Sequence, residues 1–342
     1  MSGGRARAHF RGADSRKTSP ARRSAQDHEA GGPSDGRPGR CYLSPRHRDF
    51  RSDDMTDRRV AVIGLGNMGA AMAATLAKAG FAVTGYDPAP DAEARAGAAG
   101  IALAASPAAA FAAAEIAVLS LPMAAHVEAV LAGEGGLLAA GLTGRLVIDT
   151  TTSEPAVTRR LAAALAAAGH ALVDAPVSGG PAGAAAGTLT MMVGGAAADI
   201  DRARPVLEAL SAKISLCGAV GAGHVVKLVN NLLCAAHLLT VSEAVRMGVA
   251  AGVEADTLIG ALNAGSGRAG VSEVNFPRWI LSGSFDSGFT MGLMRKDVRL
   301  AEALAAETGQ AMPLLEVAGR LWRESAAGLA DGEDFNRIAA LD

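Results

Sequence analysis

The chain has 342 residues, a formal net charge of -2 and a composition that is half apolar, with aromatic residues at only 4%. This length predicts two domains of ordinary size, and the near-neutral charge excludes a strongly basic nucleic-acid-binding surface. We therefore expect no nucleic-acid partner. Three cysteines without paired spacing exclude a thiolate metal cluster and are typical of a reduced compartment. We therefore also expect a cytoplasmic protein with no metal site.

Residues 1–54 differ in composition from the rest of the chain. They carry 12 Lys and Arg against 7 Asp and Glu, whereas the remainder carries 20 against 27 and is acidic. The segment is rich in Arg, Ser, Gly and Pro and has no apolar periodicity, which predicts a disordered basic tail. Its acidic residues disfavour an organelle transit peptide, and it has no apolar segment for secretion. Over a targeting role we favour the interpretation that the native chain begins at Met55, directly ahead of the first predicted strand.

The first predicted strand, Arg59–Ile63, leads into a glycine-rich turn and then a helix over residues 70–79. In this context the first glycine of GxGxxG permits a tight turn, the second lets the backbone approach a pyrophosphate, and the third lets the helix pack on the strand. The motif therefore predicts a dinucleotide site. Its candidate cofactor-binding residues are Gly64, Leu65, Gly66, Asn67, Met68 and Gly69.

The next predicted strand, Ala82–Tyr86, ends at Asp87. A carboxylate at this position accepts hydrogen bonds from the hydroxyls of the cofactor's ribose. No arginine directly follows Asp87 to pair with a 2'-phosphate. We therefore predict NAD as the cofactor, with NADP the lesser alternative.

Strand and helix signals continue to alternate, with strands predicted at residues 116–121, 146–149, 171–174 and 189–193. This alternation predicts an α/β fold, a Rossmann-type doubly wound parallel sheet over residues 58–221. Loops at the carboxyl ends of its strands should line the cofactor crevice, and these loops contain Leu121, Pro122 and Thr152. Ordinary turn chemistry explains each residue equally well; Thr152, for example, could cap the next helix.

A glycine-rich segment, DAPVSGGP at 174–181, follows the strand at 171–174. Glycine costs entropy relative to alanine, which this chain uses almost everywhere else, so the segment indicates a function. Its exposed backbone N–H groups and the Ser178 hydroxyl could hold a small carboxylate.

Strand signals vanish after residue 222, and a helical pattern begins with GAGHVVKLVNN at 221–231. Asn230 and Asn231 follow Lys227 at i+3 and i+4, so the three polar side chains share one face. That face is typical of a site, because a solvated face would carry more than one charge. The alternative is a lysine that reaches water from a core helix. His224 has no partner at metal-ligand spacing and is interpreted as a structural histidine.

The helical pattern runs to about residue 251, a length of roughly 40 Å that would let one helix belong to both domains. Shorter helices predicted at residues 255–264, 295–308, 314–327 and 334–340 complete an all-α domain over residues 222–342. A long loop between them contains residues 266–268 and 285–289, and it either closes over the substrate or forms a surface loop. The apolar runs are interrupted, so no membrane span and no membrane partner are predicted.

Four motifs in this order resemble the β-hydroxyacid dehydrogenase family, most closely its 3-hydroxyisobutyrate dehydrogenases. They are GLGNMG at 64–69, DAPVSGG with GTLTMMVGG at 174–195, GAGHVVKLVNN at 221–231, and Lys296-Asp297. The resemblance covers residues 60–334. It implies that Lys227 is the catalytic acid/base, and its presence separates the chain from imine reductases, which usually replace it.

The resemblance also implies the surroundings of Lys227. Asn231 would help to hold the substrate, whose carboxylate would be bound by Ser178, Gly179 and Gly180. Thr152 and Lys296 would contact the cofactor. The all-α domain would pack between subunits of a homo-oligomer, a homodimer or a homotetramer.

The expected reaction is NAD-dependent oxidation of a small 3-hydroxy carboxylic acid, such as 3-hydroxyisobutyrate, to its semialdehyde. A desolvated Lys227 with a lowered pKa would take the hydroxyl proton. The same residues run the reaction backwards, so a reductase of tartronate semialdehyde (2-hydroxy-3-oxopropionate) or a related semialdehyde is the first alternative. A non-catalytic NAD-binding sensor is the alternative of another class.

Overall fold

A ten-stranded sheet organises the first part of the structure. The computed structural model describes residues 41–43 and 59–340. In the sheet the strands follow the order β1-β10-β9-β7-β6-β5-β2-β3-β4, and β8 pairs with β9. Their bounds are β1 Cys41–Leu43, β2 Arg59–Ile63, β3 Ala82–Tyr86, β4 Ala102–Leu103, β5 Ile116–Leu119, β6 Leu146–Asp149, β7 Ala171–Asp174, β8 Val177–Ser178, β9 Leu189–Gly194 and β10 Ser211–Gly218.

The helices of this part cover both faces of the sheet, because the side chains of a strand alternate between its faces. On β2, Val60 and Val62 join the apolar layer under one set of helices, and Ala61 and Ile63 join the layer on the other side. The Rossmann-type architecture is therefore confirmed. The helices are α1 Asn67–Lys78, α2 Ala92–Ala99, α3 Pro107–Ala113, α4 Ala124–Ala132, α5 Pro155–Ala167, α6 Gly180–Ala186 and α7 Ala197–Leu210.

The sheet differs from the predicted parallel sheet at one edge. Strands β2 to β7 are parallel neighbours, but β9 runs antiparallel to β7, meeting it at Asp174 and Gly194. Strand β10, parallel to β9, lies beyond the last predicted strand. Its sequence, SAKISLCG, interrupts the apolar pattern with polar side chains and is too weakly hydrophobic to stand out.

Strand β1 lies within the tail for which disorder is predicted. Its backbone pairs antiparallel with β10, with Cys41 opposite Ser215 and Leu43 opposite Lys213. The edge of a sheet offers unpaired N–H and C=O groups, so a segment can add to it without an apolar core of its own. The prediction therefore does not hold for these three residues, and the rest of the tail lies outside the described residues.

The second part of the structure is helical, as predicted. It comprises α8 Ala222–Ala250, α9 Ala255–Ala264, a π-helical segment Val271–Ile280, α10 Met291–Thr308, α11 Pro313–Glu324, and short 3-10 turns at Ser325–Ala327 and Phe335–Ala339. The π-helical segment replaces part of the predicted loop, because its apolar residues Val271, Phe276 and Ile280 are buried in the helical core. Two loops remain, at residues 265–270 and 281–290.

Helix α8 connects the two parts. Its first turns pack on β9 and β10, and its later turns pack on α9, α10 and α11. Contrary to the sequence prediction, it is long and apolar enough to cross a membrane by length and composition alone, with a mean hydropathy of 1.5 over 18 residues. One face of the helix is buried in the core of the structure, so this hydropathy is weak evidence for a membrane span.

Candidate active site

The three motif glycines of the turn between β2 and α1 meet different surroundings. A Cβ atom at Gly64 would overlap the carbonyl oxygen of Ser120, and one at Gly69 would overlap the carbonyl oxygen of Gly64. A Cβ at Gly66 would have no protein atom within 4 Å. Two glycines are therefore required for packing, whereas Gly66 keeps the backbone open beside the N-terminus of α1. This geometry fits a dinucleotide pyrophosphate.

The backbone of the turn is tied to Asp87, which follows β3. One carboxylate oxygen accepts a hydrogen bond from the Leu65 N–H at 2.7 Å, and the other accepts one from the Ala89 N–H at 2.9 Å. The Leu65 side chain is buried in the core, so only its backbone faces this site. Asn67 and Met68 form the first turn of α1, where Asn67 is exposed.

Arg95 is a neighbour of Asp87 that the sequence interpretation missed. It lies one turn into α2, and its guanidinium donates to the Leu65 carbonyl at 3.2 Å and lies 3.9 Å from the Asp87 carboxylate. No arginine directly follows Asp87 in the sequence. Arg95, eight residues further along the chain in α2, nevertheless lies beside Asp87 in the fold. The available sequence signal is the i,i+4 pair with Asp91, which marks Arg95 as part of a helix.

Lys296, in the second turn of α10, connects the two predicted cofactor loops. Its ammonium donates to the Pro122 carbonyl at 3.2 Å and to the Thr152 carbonyl at 3.3 Å. The Leu121 N–H donates to the Thr151 hydroxyl at 3.1 Å, which joins the loops directly. The structure thus brings Leu121, Pro122, Thr152 and Lys296 together across the junction between sheet and helices.

Lys227 lies on the buried face of α8, where the residue is only 7% exposed. Burial lowers the pKa of its ammonium, and the nearby carboxylate of Asp297 opposes that shift. Asn231, one turn further on, donates to Asp297 at 2.6 Å and is buried as well. Asn230 differs from the prediction, because it is exposed and only supports Asn231 through a 3.0 Å hydrogen bond.

Asp297 was not singled out by the sequence interpretation beyond its place in the Lys296-Asp297 motif. One of its oxygens binds Asn231, and the other is buried without a hydrogen bond, although the Lys296 ammonium is 3.3 Å away. That contact has ion-pair distance but lacks hydrogen-bond geometry. Asp297 therefore places a negative charge between the two lysines of the site.

Ser178, Gly179 and Gly180 form the turn from β8 into α6, with positive φ at both glycines. Within the described residues, hydrogen bonds do not join this turn to Lys227 or Asn231. The link is β9, which pairs with β8 and carries the first turn of α8. A Cβ built on Gly180 would lie 3.6 Å from the Ser287 carbonyl oxygen, and one built on Gly288 would lie 3.3 Å from Pro181, so the loop at 285–289 lies beside this turn. Its position favours a covering role over that of a surface loop.

A buried polar network lies beneath the first turn of α8. The Asp174 carboxylate, fully enclosed, accepts hydrogen bonds from the N–H groups of Gly221 at 2.6 Å and His224 at 2.9 Å. The His224 ring lies 2.6 Å from the Thr151 carbonyl and 2.8 Å from the Thr158 hydroxyl. Burial raises the pKa of Asp174 to about 6 and lowers the pKa of His224 to about 4.

We predict that replacing His224 with glutamine flattens the pH dependence of stability. The pKa of the folded histidine is about 4 and that of an ordinary histidine is 6.5, so acidification protonates the unfolded chain first. Stability is then lost between these values, by about 3 kcal/mol in total. Urea unfolding from pH 7 to pH 4.5 should show the native free energy of unfolding falling more steeply than that of His224→Gln. Parallel curves would mean that folding does not lower the pKa of His224.

Two family models together match most of the chain. A model described as the NAD binding domain of 6-phosphogluconate dehydrogenase matches residues 59–219. A model described as "NAD-binding of NADP-dependent 3-hydroxyisobutyrate dehydrogenase" matches residues 221–341. The two matches meet at the start of α8.

Several known proteins are similar to this chain over nearly their whole length. An NAD-dependent L-serine dehydrogenase of Pseudomonas aeruginosa is 40% identical over 273 residues, which are 78% of this chain and 91% of the relative. A 3-hydroxyisobutyrate dehydrogenase of the same organism is 39% identical over 297 residues, 84% of this chain and 98% of the relative. The solved structure of the Mycobacterium tuberculosis 3-hydroxyisobutyrate dehydrogenase with L-serine has a TM-score of 0.75 and 36% identity, and the match covers 82% of this chain and 97% of that one.

Proposed function

The chain belongs to the β-hydroxyacid dehydrogenase family, and from this premise we propose that it oxidises a small 3-hydroxy carboxylic acid to its semialdehyde with NAD. Membership makes it an NAD(P)-dependent oxidoreductase acting on CH–OH groups. The observation that carries the finer proposal is Lys227, a buried lysine with a lowered pKa beside Asn231 and Asp297. In this proposal Lys227 is the general base.

The cofactor would lie along the carboxyl end of the sheet. Gly66 and the first turn of α1 would hold its pyrophosphate, and Asp87 would accept from its ribose. Thr152 and Lys296 would contact its reactive end, and a bound nicotinamide would supply the hydride acceptor. We propose NAD over NADP because the Asp87 carboxylate would repel a 2'-phosphate. Arg95, 3.9 Å from that carboxylate, supports NADP as the alternative.

Proton transfer would depend on residues of both parts of the chain. A lysine with a lowered pKa is neutral over more of the working pH range and can accept the hydroxyl proton. Asp297 would fix the Asn231 amide, so that Asn231 holds the substrate hydroxyl in one orientation. Ser178, Gly179 and Gly180 would bind the carboxylate, with the loop at 285–289 covering the substrate.

The relatives narrow the substrate class. The names of three of them specify L-serine, 3-hydroxyisobutyrate and 2-(hydroxymethyl)glutarate as substrates. In all three acids, numbered as 3-hydroxy acids, the primary alcohol is on C3, which is bonded to C2, and C2 bears the carboxylate. The acids differ in the remaining substituent on C2. We therefore propose a 2-substituted 3-hydroxy acid, with 3-hydroxyisobutyrate the first candidate.

The test is a panel of these three acids and 3-hydroxypropionate, with NAD and with NADP, followed by absorbance of the reduced cofactor. Tartronate semialdehyde with reduced cofactor tests the opposite direction. The proposal predicts turnover of at least one hydroxy acid, faster with NAD. Turnover of the semialdehyde alone would favour the reductase, and NAD binding without any turnover would favour the sensor.

We predict that replacing Asp297 with asparagine shifts the rising, acidic limb of the plot of kcat/KM for oxidation against pH to lower pH. The negative charge of Asp297 raises the pKa of Lys227, so its removal lets that pKa fall further. Asparagine keeps the acceptor for Asn231 and changes little in shape. The measurement is kcat/KM against pH, with the exposed Asp256→Asn as the control variant. A limb that moves to higher pH would contradict the assignment of this limb to Lys227.

We also propose a homodimer or homotetramer that resides in the cytoplasm. Helix α8 exposes Val226, Val229 and Leu233 at i, i+3 and i+7, an apolar stripe that a second subunit would cover. Light scattering during gel filtration should give a mass of two or four chains, and a monomer would contradict the proposal. Cell fractionation tests the location.

A further inference from the structure

We propose that His224 is a positioning residue that sets the distance between the base Lys227 and the cofactor loop at Thr151 and Thr152. This role rests on the proposed function. His224 does not touch the reacting atoms in this proposal and acts through the helix that carries Lys227.

The hydrogen bonds of the His224 ring assign a single tautomer. The Thr151 carbonyl oxygen, 2.6 Å from Nε2, can only accept a hydrogen bond, so Nε2 carries the proton. In a neutral ring Nδ1 is then an acceptor, and the Thr158 hydroxyl donates its one proton to this nitrogen at 2.8 Å rather than to the more distant Glu154 carbonyl at 3.2 Å. The ring is fully buried, and its low pKa agrees with a neutral state. The ring is thus held from two sides in one orientation.

The backbone of the same residue is fixed independently. Its N–H donates to the Asp174 carboxylate, which also accepts from the N–H of Gly221. Gly221 precedes α8 in a left-handed conformation and has no side chain with which to cap it, so Asp174 from the end of β7 caps the helix instead. His224 therefore joins the start of α8 to the ends of both β6 and β7.

These contacts connect the two partners of the proposed reaction. Lys227 lies three residues after His224, about 4.5 Å along the helix axis. Thr152, next to Thr151, has its carbonyl bound to Lys296. A shift of α8 along its axis would carry the Lys227 ammonium away from this loop. Such a shift would break the bond between the His224 ring and Thr151.

The test compares His224→Leu, which cannot make either ring contact, with His224→Gln, whose amide can donate to Thr151 and accept from Thr158. His237→Leu, on the same helix but beyond the site, is the matched control. Each variant is assayed with the best substrate of the native enzyme. The measurements are kcat, KM, the NAD dissociation constant and the kinetic isotope effect of the C3-deuterated acid.

The positioning role predicts that His224→Leu lowers kcat by about 10- to 100-fold, since a misplacement of about 1 Å has that effect. NAD affinity should change less than threefold, and the isotope effect should rise because hydride transfer becomes slower. His224→Gln should recover most of kcat, and His237→Leu should match the native enzyme. A folded His224→Leu variant with native kcat and only a lower melting temperature would overturn the proposal.

Two further measurements keep the proposal testable if His224→Leu does not fold. Thr158→Val keeps the shape of α5 but removes the donor to Nδ1, and it should lower kcat several-fold; native kcat in this variant would overturn the proposal. Nitrogen chemical shifts of His224 should show the Nε2–H tautomer from pH 6 to pH 8, and the other tautomer or a charged ring would contradict the inference without reference to activity. A native enzyme that turns over no panel compound would refute the proposed function, and this role with it.

Discussion

Replacing Lys227 with alanine should lower kcat for hydroxy-acid oxidation by about 1000-fold, within the range that a general base contributes. Two neighbouring groups, Cys234 and His224, are poorly suited to take over the proton. Burial raises the pKa of the Cys234 thiol to about 11, and the His224 ring is already bound on both sides. Binding of NAD, measured by fluorescence titration, should remain within about threefold of the native value, because the pyrophosphate and ribose contacts lie elsewhere.

Two comparisons separate loss of the base from loss of the fold. Lys78→Ala, at the exposed end of α1, removes a lysine without touching the site and should leave kcat unchanged. The oxidation rate of the native enzyme should rise with pH as Lys227 loses its proton. The residual activity of Lys227→Ala should lack this rise. Near-native turnover in a Lys227→Ala variant that binds NAD normally would end the assignment of Lys227 as the base.

The elements that sequence predicts well are those whose signal is local. The glycine turn after β2 combines a strand, three spaced glycines and a helix within a few residues, and its fold appears as expected. Lys227 and Asn231 stand one turn apart in an otherwise apolar helix, so their shared face follows from spacing, although the same spacing wrongly adds the exposed Asn230 to it. The loops after β5 and β6 follow from the rule that the carboxyl ends of parallel strands share an edge.

The parts that sequence does not predict depend on distant partners. Asp297 meets Asn231 across 66 residues, and His224 meets Thr151 across 73, so no periodicity within one element reports either contact. Arg95 approaches Asp87 only because α2 folds back over the strand ends. Strand β10 has a weak apolar pattern of its own and gains its place by pairing with β9. In each case tertiary packing decides what local propensity leaves open.

Replacing Gly66 with alanine should leave the fold intact and weaken NAD binding by about 10- to 100-fold. The φ of Gly66 is -62°, which alanine adopts without strain, and an added Cβ meets no protein atom within 4 Å. The added methyl would instead occupy the space through which a pyrophosphate approaches the backbone. An overlap of this size typically costs about 1 to 3 kcal/mol, which corresponds to the expected loss of affinity.

Gly69→Ala is the contrasting variant, because its Cβ would overlap the Gly64 carbonyl within the protein itself. Alanine normally favours a helix over glycine by about 1 kcal/mol, but here the overlap with backbone should reverse the sign and lower the melting temperature. Gly97→Ala, in α2 with no atom near its Cβ, should show the ordinary gain and leave NAD binding unchanged. If Gly66→Ala binds NAD as tightly as the native protein, the pyrophosphate does not lie at this turn.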